Sequence, residues 1–501
     1  MLKKARKLLA AVFFTLITLM LLDFTGTLHT WLGWMAKVQF LPAVLAVNVV
    51  IIVVLILLTL VFGRIYCSVI CPLGVFQDIV SWIHGKRKKN RFSYSPAVSW
   101  LRYLMLVVMI VAIIVGIGAL VALLAPYSTF GRMAQNLFQP LWMLGNNVLA
   151  GIAERMGSYT FYHTDVWIKS ITTFAIAAAT FLIIGFLAWR HGRTWCNTIC
   201  PVGTVLGFFA RFSWFKVRFD EDKCKQCSLC SKNCKAACID YKTMSVDYSR
   251  CVVCGNCVDK CSFGALTYAP GPMVSKKKKK ENESTEVKQD DGVGEGRRAF
   301  LLATAVAATA ALAQEKKKVD GGLAVIEEKV APERQTPITP PGSLSANNMA
   351  RRCTACQLCV SKCPNQVLRP SSELSTLMQP IMSYELGYCR PECVACAEVC
   401  PTGAIQPITL EEKSAIQIGH AVPIHKNCVA VTDGVDCGNC ERHCPTGAIE
   451  MVPSDPDDEE SAMVPVVNEE KCIGCGACEN LCPARPFSAI FVEGHEQHRT
   501  I

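Results

Sequence analysis

Twenty-nine of the 501 residues are cysteine, and most of them recur as C-x-x-C-x-x-C-x-x-x-C. That spacing holds four-iron clusters by thiolate ligation. A disulfide scaffold needs no fixed spacing and suits small secreted chains. The groups are "CKQCSLCSKNC" (224–234), "CVVCGNCVDKC" (251–261), "CTACQLCVSKCP" (353–364), "CRPECVACAEVCP" (389–401), "CVAVTDGVDCGNCERHCP" (428–445) and "CIGCGACENLCP" (472–483). These six groups of four, four cysteines in the first 200 residues and Cys238 account for all 29, so none remains for a disulfide.

In a two-cluster unit the fourth cysteine of each run ligates the other cluster. Cys224, Cys227, Cys230 and Cys261 are therefore expected to hold one cluster, and Cys251, Cys254, Cys257 and Cys234 a second. Cys238 falls where alanine stands in "CPTGAI" (400–405) and reads as a non-ligand. Neither Cys234 nor Cys261 is followed by proline.

The first 200 residues are of another kind. Apolar runs at 8–22, 41–62, about 100–125 and about 167–189 predict four membrane helices. "MLKKARK", "HGKRKKNR" (84–91) and "WRHGR" (189–193) are basic, whereas 23–40 and 126–166 carry few Lys or Arg. The positive-inside rule then puts the N-terminus and residue 190 in the cytoplasm. Trp31, Trp34, Tyr127, Trp142, Tyr159, Tyr162 and Trp167 in the outer loops read as an interfacial aromatic belt, with a quinone headgroup site as the sharper alternative. His29, His84 and His163 read as interfacial, and no pair of histidines is placed to ligate a haem.

"GRIYCSVICPLG" (63–74) and "GRTWCNTICPVG" (192–203) repeat, which implies a duplicated helix hairpin. Pro72 and Pro201 suit the first turn of a following helix. Cys67, Cys71, Cys196 and Cys200 would meet at a pseudo-twofold axis, as a metal or cluster site or as a redox-active dithiol, with buried structural cysteines the plainer alternative. The spacing leaves these readings open.

Residues 271–293 are a charged linker around "SKKKKKENEST". "GEGRRAFLLATAVAATAALAQ" (294–314) then has two arginines, a short apolar run and a small-x-small end, as a twin-arginine export signal or a fifth membrane helix would. Twin-arginine transport moves folded proteins, so clusters would be inserted before export. A second linker, 315–345, contains "APERQTPITPPGS". The expected plan is a membrane domain (1–215), a cytoplasmic two-cluster ferredoxin domain (216–270), the linkers and signal, and a periplasmic four-cluster domain (346–501). The fold class is a membrane all-α four-helix duplicated hairpin plus α+β bacterial ferredoxin-like 4Fe-4S domains.

These features together resemble the Nap-type quinol dehydrogenase pair. Residues 1–270 resemble its membrane ferredoxin-type component, NapH, and 294–495 its exported four-cluster component, NapG. The two are normally separate chains. The resemblance implies six [4Fe-4S] clusters, quinol as substrate, and a periplasmic cytochrome or nitrate-reductase-type enzyme as partner at the inner membrane. It also implies outer ligand sets of Cys353, Cys356, Cys359 and Cys482; of Cys472, Cys475, Cys478 and Cys363; of Cys389, Cys393, Cys396 and Cys444; and of Cys428, Cys437, Cys440 and Cys400. Two alternatives stand beside it: an electron donor for maturation or repair of a metalloenzyme, and a transmembrane wire from cytoplasmic donors. The net charge of +10 sits in short runs flanking apolar segments, with no basic face to suit nucleic acid. No nucleotide loop, nucleophile triad or haem-attachment motif is present, and no catalytic residue is assigned.

Overall fold

The computed structural model describes residues 2–23, 25–87, 92–166, 168–271, 329–455 and 457–501. The signal-like segment 294–314, most of both linkers and Trp167 lie outside the described residues.

Beside Pro72–Arg87 and Gln139–Arg155, which are of similar length, four helices answer to the apolar runs: Leu2–Leu22, Val49–Phe62, Ser99–Val115 and Ile171–His191. Local chemistry sets their ends. The Asn48 and Ser170 side chains accept from the backbone N–H of Ile51 and Thr173 at the starts of the second and fourth helices. Gly63, Gly116 and Gly192 end the last three at φ of 74°, 88° and 72°.

Two of these helices are shorter than the apolar runs predict. The 41–62 run breaks at Val47, whose φ is 54°, into Phe40–Leu45 and Val49–Phe62. The 100–125 run breaks at Gly116 into Ser99–Val115 and Gly118–Leu124. Hydropathy cannot see either break, because the cause is one left-handed residue among aliphatic neighbours. Among the described residues, Lys3–Leu22 and Ile171–His191 are long and apolar enough to cross a membrane, while Val49–Phe62 and Ser99–Val115 are shorter apolar helices.

The stretch read as an outer loop is also different. Pro126–Met133, a π-turn Ala134–Phe138 and Gln139–Arg155 follow one another without a gap. Tyr127, Phe130, Arg132 and Met133 are buried, and the Phe130 ring lies 5.3 Å from Phe14 and 6.4 Å from Phe76. Tyr127 is thus a core residue rather than part of a belt, whereas Trp31, Trp34, Trp142, Tyr159 and Tyr162 are exposed. His29 is buried 3.9 Å from Asp23, which corrects its interfacial reading.

Two ferredoxin-type units complete the fold. In the first, Lys216–Phe219 pairs antiparallel with Leu266–Ala269, and Ile239–Asp240 with Ser245–Val246. In the C-terminal unit Leu368–Pro370 pairs with Pro380–Met382, Ile416–Pro423 with Ile490–Thr500, and Ile449–Asp455 with Asp458–Val467, all antiparallel.

The long helices have one unit at each end. At one end Lys3 pairs with Asp259, Tyr268 OH donates to Phe62 O at 2.9 Å, Arg102 donates to Ser249 Oγ at 3.0 Å, and Arg193 N donates to Lys235 O at 2.9 Å. At the other end Lys362 Nζ donates to Gly26 O, Arg351 packs on Gly116, and Asn136 Nδ2 donates to Gln357 Oε1 at 2.9 Å. One apolar core runs from Ile17, Leu73 and Phe130 in the helices to Leu358 and Ile405 in the C-terminal unit.

Candidate electron-transfer centres

The cysteine loops are built by local backbone geometry. In the four groups with regular spacing, the residues just before and after the middle cysteine both have positive φ: Gln226 and Ser228, Val253 and Gly255, Ala355 and Gln357, Gly474 and Gly476. This turns successive N–H groups to the inside of the loop, the arrangement that cradles anionic groups. The two irregular groups, from Cys389 and Cys428, have no such non-glycine pair. After the fourth cysteine, Ala237, Gly264, Gln366, Gly403 and Gly447 each reach positive φ three residues on and turn the chain outward.

The structure brings the thiols together in six sets. Cys224, Cys227, Cys230 and Cys261 line one small cavity. Cys234, Cys251, Cys254 and Cys257 form a second group. Cys238 joins this group, with Sγ 3.5 Å from Cys234 Sγ. That closeness was not readable from the alignment that set Cys238 against alanine.

In the C-terminal unit the fourth members differ from those the resemblance implies. Cys400, not Cys482, lies with Cys353, Cys356 and Cys359. Cys363, not Cys444, lies with Cys389, Cys393 and Cys396. Cys444, not Cys363, lies with Cys472, Cys475 and Cys478. Cys482, not Cys400, lies with Cys428, Cys437 and Cys440. The reason is topological. Consecutive groups exchange their fourth cysteines, so the unit is two successive two-cluster modules rather than one module inserted into another. The exchange rule already applied to residues 224–261 was the signal that would have found it.

The sets adjoin in a row. Cys356 O is 2.8 Å from an ideal Cβ built on Gly131, which puts its set against the helices. Cys359 of that set feels Cys396 of the next, Cys389 N donates to Cys475 O at 2.9 Å, and Cys478 feels Cys440 of the last.

The helical repeat gathers a further four thiols. Cys67, Cys71, Cys196 and Cys200 are all buried and face one another. Each half braces the other. Arg64 donates to Cys196 O at 3.2 Å, and Arg193 donates to Cys67 O. A Cβ on Gly74 would lie 2.2 Å from Cys67 O, and one on Gly203 2.3 Å from Cys196 O, so only glycine admits these approaches. Three sulfurs have N–H groups on them: Gly203 N to Cys200 at 3.4 Å, Gln77 Nε2 to Cys196 at 3.2 Å, and Arg64 to Cys67 at 3.8 Å. Asp78 accepts from Arg6 at 3.0 Å and Arg193 at 2.9 Å, with Lys235 at 3.4 Å. Arg64, fully buried, meets Asn197 Oδ1, two backbone carbonyls and Cys67 Sγ, with no carboxylate among these partners. The repeated Gly-Arg pair was visible in the sequence, but its bracing of the opposite half was not.

Comparison with known proteins agrees with this chemistry. Residues 44–90 and 171–220 match a family described as a 4Fe-4S binding domain. Residues 247–367, 352–405 and 435–485 match families of 4Fe-4S dicluster domains. Over 167 residues the chain is 32% identical to the methylamine utilization ferredoxin-type protein MauM of Methylobacillus flagellatus, covering 32% of this chain and 70% of MauM. The chain belongs to the ferredoxin-type 4Fe-4S proteins.

Other ferredoxin-type relatives match parts of the chain. Ferredoxin-type protein NapH of Escherichia coli is 26% identical over 235 residues, 45% of this chain and 69% of NapH. Ferredoxin-type protein NapG of Escherichia coli is 28% identical over 176 residues, 32% of this chain and 75% of NapG. The chain spans only 45% of an uncharacterized Methanocaldococcus jannaschii relative, MJ0749, and 60% of Escherichia coli YccM. No solved structure matches it significantly.

The thiol sets fit four-iron clusters. Burial pushes Cys230 and Cys440 up to about 11, and Cys356 and Cys475 up to about 12, so thiolates there need a cationic group to hold them. Backbone N–H groups also point at ligand sulfurs: Ala355 at Cys353 (3.4 Å), Ile405 at Cys400 (3.4 Å), Ala448 at Cys444 (3.2 Å) and Ala489 at Cys482 (3.3 Å). Such donors favour the charged sulfur.

The glycine geometry gives a first prediction. Gly203→Ala is expected to destabilise by about 1–3 kcal/mol through overpacking and to expose the repeat thiols to alkylation. Gly145→Ala, where a Cβ meets nothing within 4 Å, is the control and should be neutral or mildly stabilising. Thiol-labelling rates on intact protein decide between these outcomes.

Proposed function

We propose that the chain is a NapH-like and a NapG-like component joined in one polypeptide, and that it oxidises quinol and delivers electrons to periplasmic reductases of the nitrate-reductase type. Six [4Fe-4S] clusters, held by the six thiol sets, would supply one-electron relays when bound. The observation that carries this reading is the row of four adjoining sets in the C-terminal unit, of which the first two, through Cys356 and Cys363, lie against the helical part.

The same reading puts the four helices across the inner membrane. The N-terminus and first ferredoxin unit face the cytoplasm, and residues 294–314 direct the C-terminal unit to the periplasm. Apolar residues exposed along the helices support this, among them Val50, Val54, Leu57, Ile114, Leu182 and Phe186. The four repeat thiols lie between the two units and hold a further metal or redox centre. Arg64 places a buried guanidinium 3.8 Å from Cys67 Sγ, beside these sulfurs.

The deciding experiment adds quinol to anaerobic membranes and follows the cluster signals by absorption and EPR. Reduction of the C-terminal clusters is expected. If every cluster stays oxidised, the reading fails. A cytoplasmic donor is the second reading, favoured by the exposed Cys227 at the far end of the first unit. In that case soluble extract would reduce the Cys224 set without quinol.

A further inference from the structure

A cavity of about 350 Å³ lies where the C-terminal unit meets the helices. Its walls include Gln135 and Gln139 of the helical insertion, Asp165 and Lys169 ahead of the last long helix, and Ser361 and Cys363 of the C-terminal unit. Cys363 belongs to the set completed by Cys389, Cys393 and Cys396, so one wall of the cavity is a thiol of the relay.

Several of the polar groups are held in place. Lys169 Nζ donates to Gln139 Oε1 at 3.4 Å and fixes a cation in the wall. The neighbouring Thr164 N donates to Asn147 Oδ1 at 2.9 Å, which anchors the segment that carries Asp165. The Gln135 amide nitrogen is committed to Leu21 O, and its Oε1 is a buried acceptor with no donor among the described residues. Such an acceptor is unfavourable until a donor reaches it. The rest of the lining mixes polar residues, Asn136, His163 and Gln366 among them, with apolar ones such as Met143, Ile168 and Phe174. Outside the cavity, the Gln139–Arg155 helix exposes Leu141, Trp142, Leu144 and Val148, an apolar approach from the lipid side. The mixed lining offers a small amphipathic molecule both hydrogen-bonding and apolar contacts.

We propose that this cavity binds the quinol ring and is where it is oxidised. The proposal rests on the quinol-oxidising reading above. Oxidation of one quinol to quinone breaks two O–H bonds and releases two protons and two electrons. Cys363, Cys389, Cys393 and Cys396 would hold a four-iron cluster, which when bound would accept the electrons one at a time. The Asp165 carboxylate takes the protons and passes them to water. Lys169 favours the hydroxyl as it loses its proton, and Gln135 and Gln139 orient the ring.

The test is photolabelling of the full-length protein in vesicles with an azidoquinone, mapped by mass spectrometry, beside quinol-driven cluster reduction in the same sample. Label is expected within 135–143, 162–169 or 360–368. Gln139→Leu should lower labelling about tenfold with iron content unchanged. Asp165→Asn should keep the label and slow quinol-driven reduction about tenfold. If the label maps elsewhere while quinol still reduces the clusters, the cavity proposal is overturned and the function stands. If there is neither labelling nor reduction, both are overturned.

Discussion

Removing Cys356 and Cys400 together should cost one cluster, not two. Each single alanine variant is expected to lose about four iron atoms of roughly 24, and the double variant the same four. The grouping of Cys353, Cys356, Cys359 and Cys400 requires this, because both side chains then serve one centre. The pairing implied by resemblance requires about eight atoms lost, since Cys400 would serve the Cys428 set. Cys356→Ala with Cys482→Ala reverses the expectation: two centres lost in the structure, one in the alternative. Iron and acid-labile sulfide per chain, measured anaerobically, separate the two. A double loss for Cys356 with Cys400 would mean that the exchange of fourth cysteines between consecutive groups is wrong.

Asp78→Ala is expected to be the most damaging single change outside the cluster ligands. Asp78 joins Arg6 of the first helix, Arg193 of the second repeat and Lys235 of the first ferredoxin unit. Its neighbours hold its carboxyl well below the usual carboxylate range: the Arg193 guanidinium first, then Lys235, outweigh a large burial penalty. Truncation leaves three cations, mostly buried, without their counter-charge. Breaking a buried ion pair from one side costs about 3–5 kcal/mol. Hydrogen exchange should rise at residues 2–10, 72–84 and 190–200 together, and Cys67, Cys71, Cys196 and Cys200 should become open to alkylation. Asp78→Asn, which keeps acceptor geometry but not charge, should fall between. Unchanged exchange in both variants would remove Asp78 from its place as the brace between three segments.

What the sequence made legible follows from the range of each constraint. The regular cysteine loops were readable because the paired positive-φ residues act within seven residues, as around Cys356 and Cys475. The duplicated repeat was readable because Gly-Arg and Cys-Pro recur at one spacing. The fourth cluster members were not, since Cys363, Cys400, Cys444 and Cys482 choose their sets by tertiary exchange. The break at Val47 hid in an aliphatic run that hydropathy cannot divide. The insertion at 126–155 was missed for the opposite reason. Its polar residues, such as Arg132, Gln135 and Asn136, look like loop in sequence but are buried against the C-terminal unit and the first helix.

The contact between the helices and the C-terminal unit has a consequence for the stretch between Pro272 and Glu328. Asn136 with Gln357, Lys362 with Gly26, and the core shared by Phe130 and Leu358 join the two parts without it. Peptide-bond scission there, by a signal peptidase or by any protease, would change what migrates on a denaturing gel but leave the two fragments assembled. Covalent continuity would serve to bring them together at high local concentration. Once docked, one gene product or two would be physically the same particle.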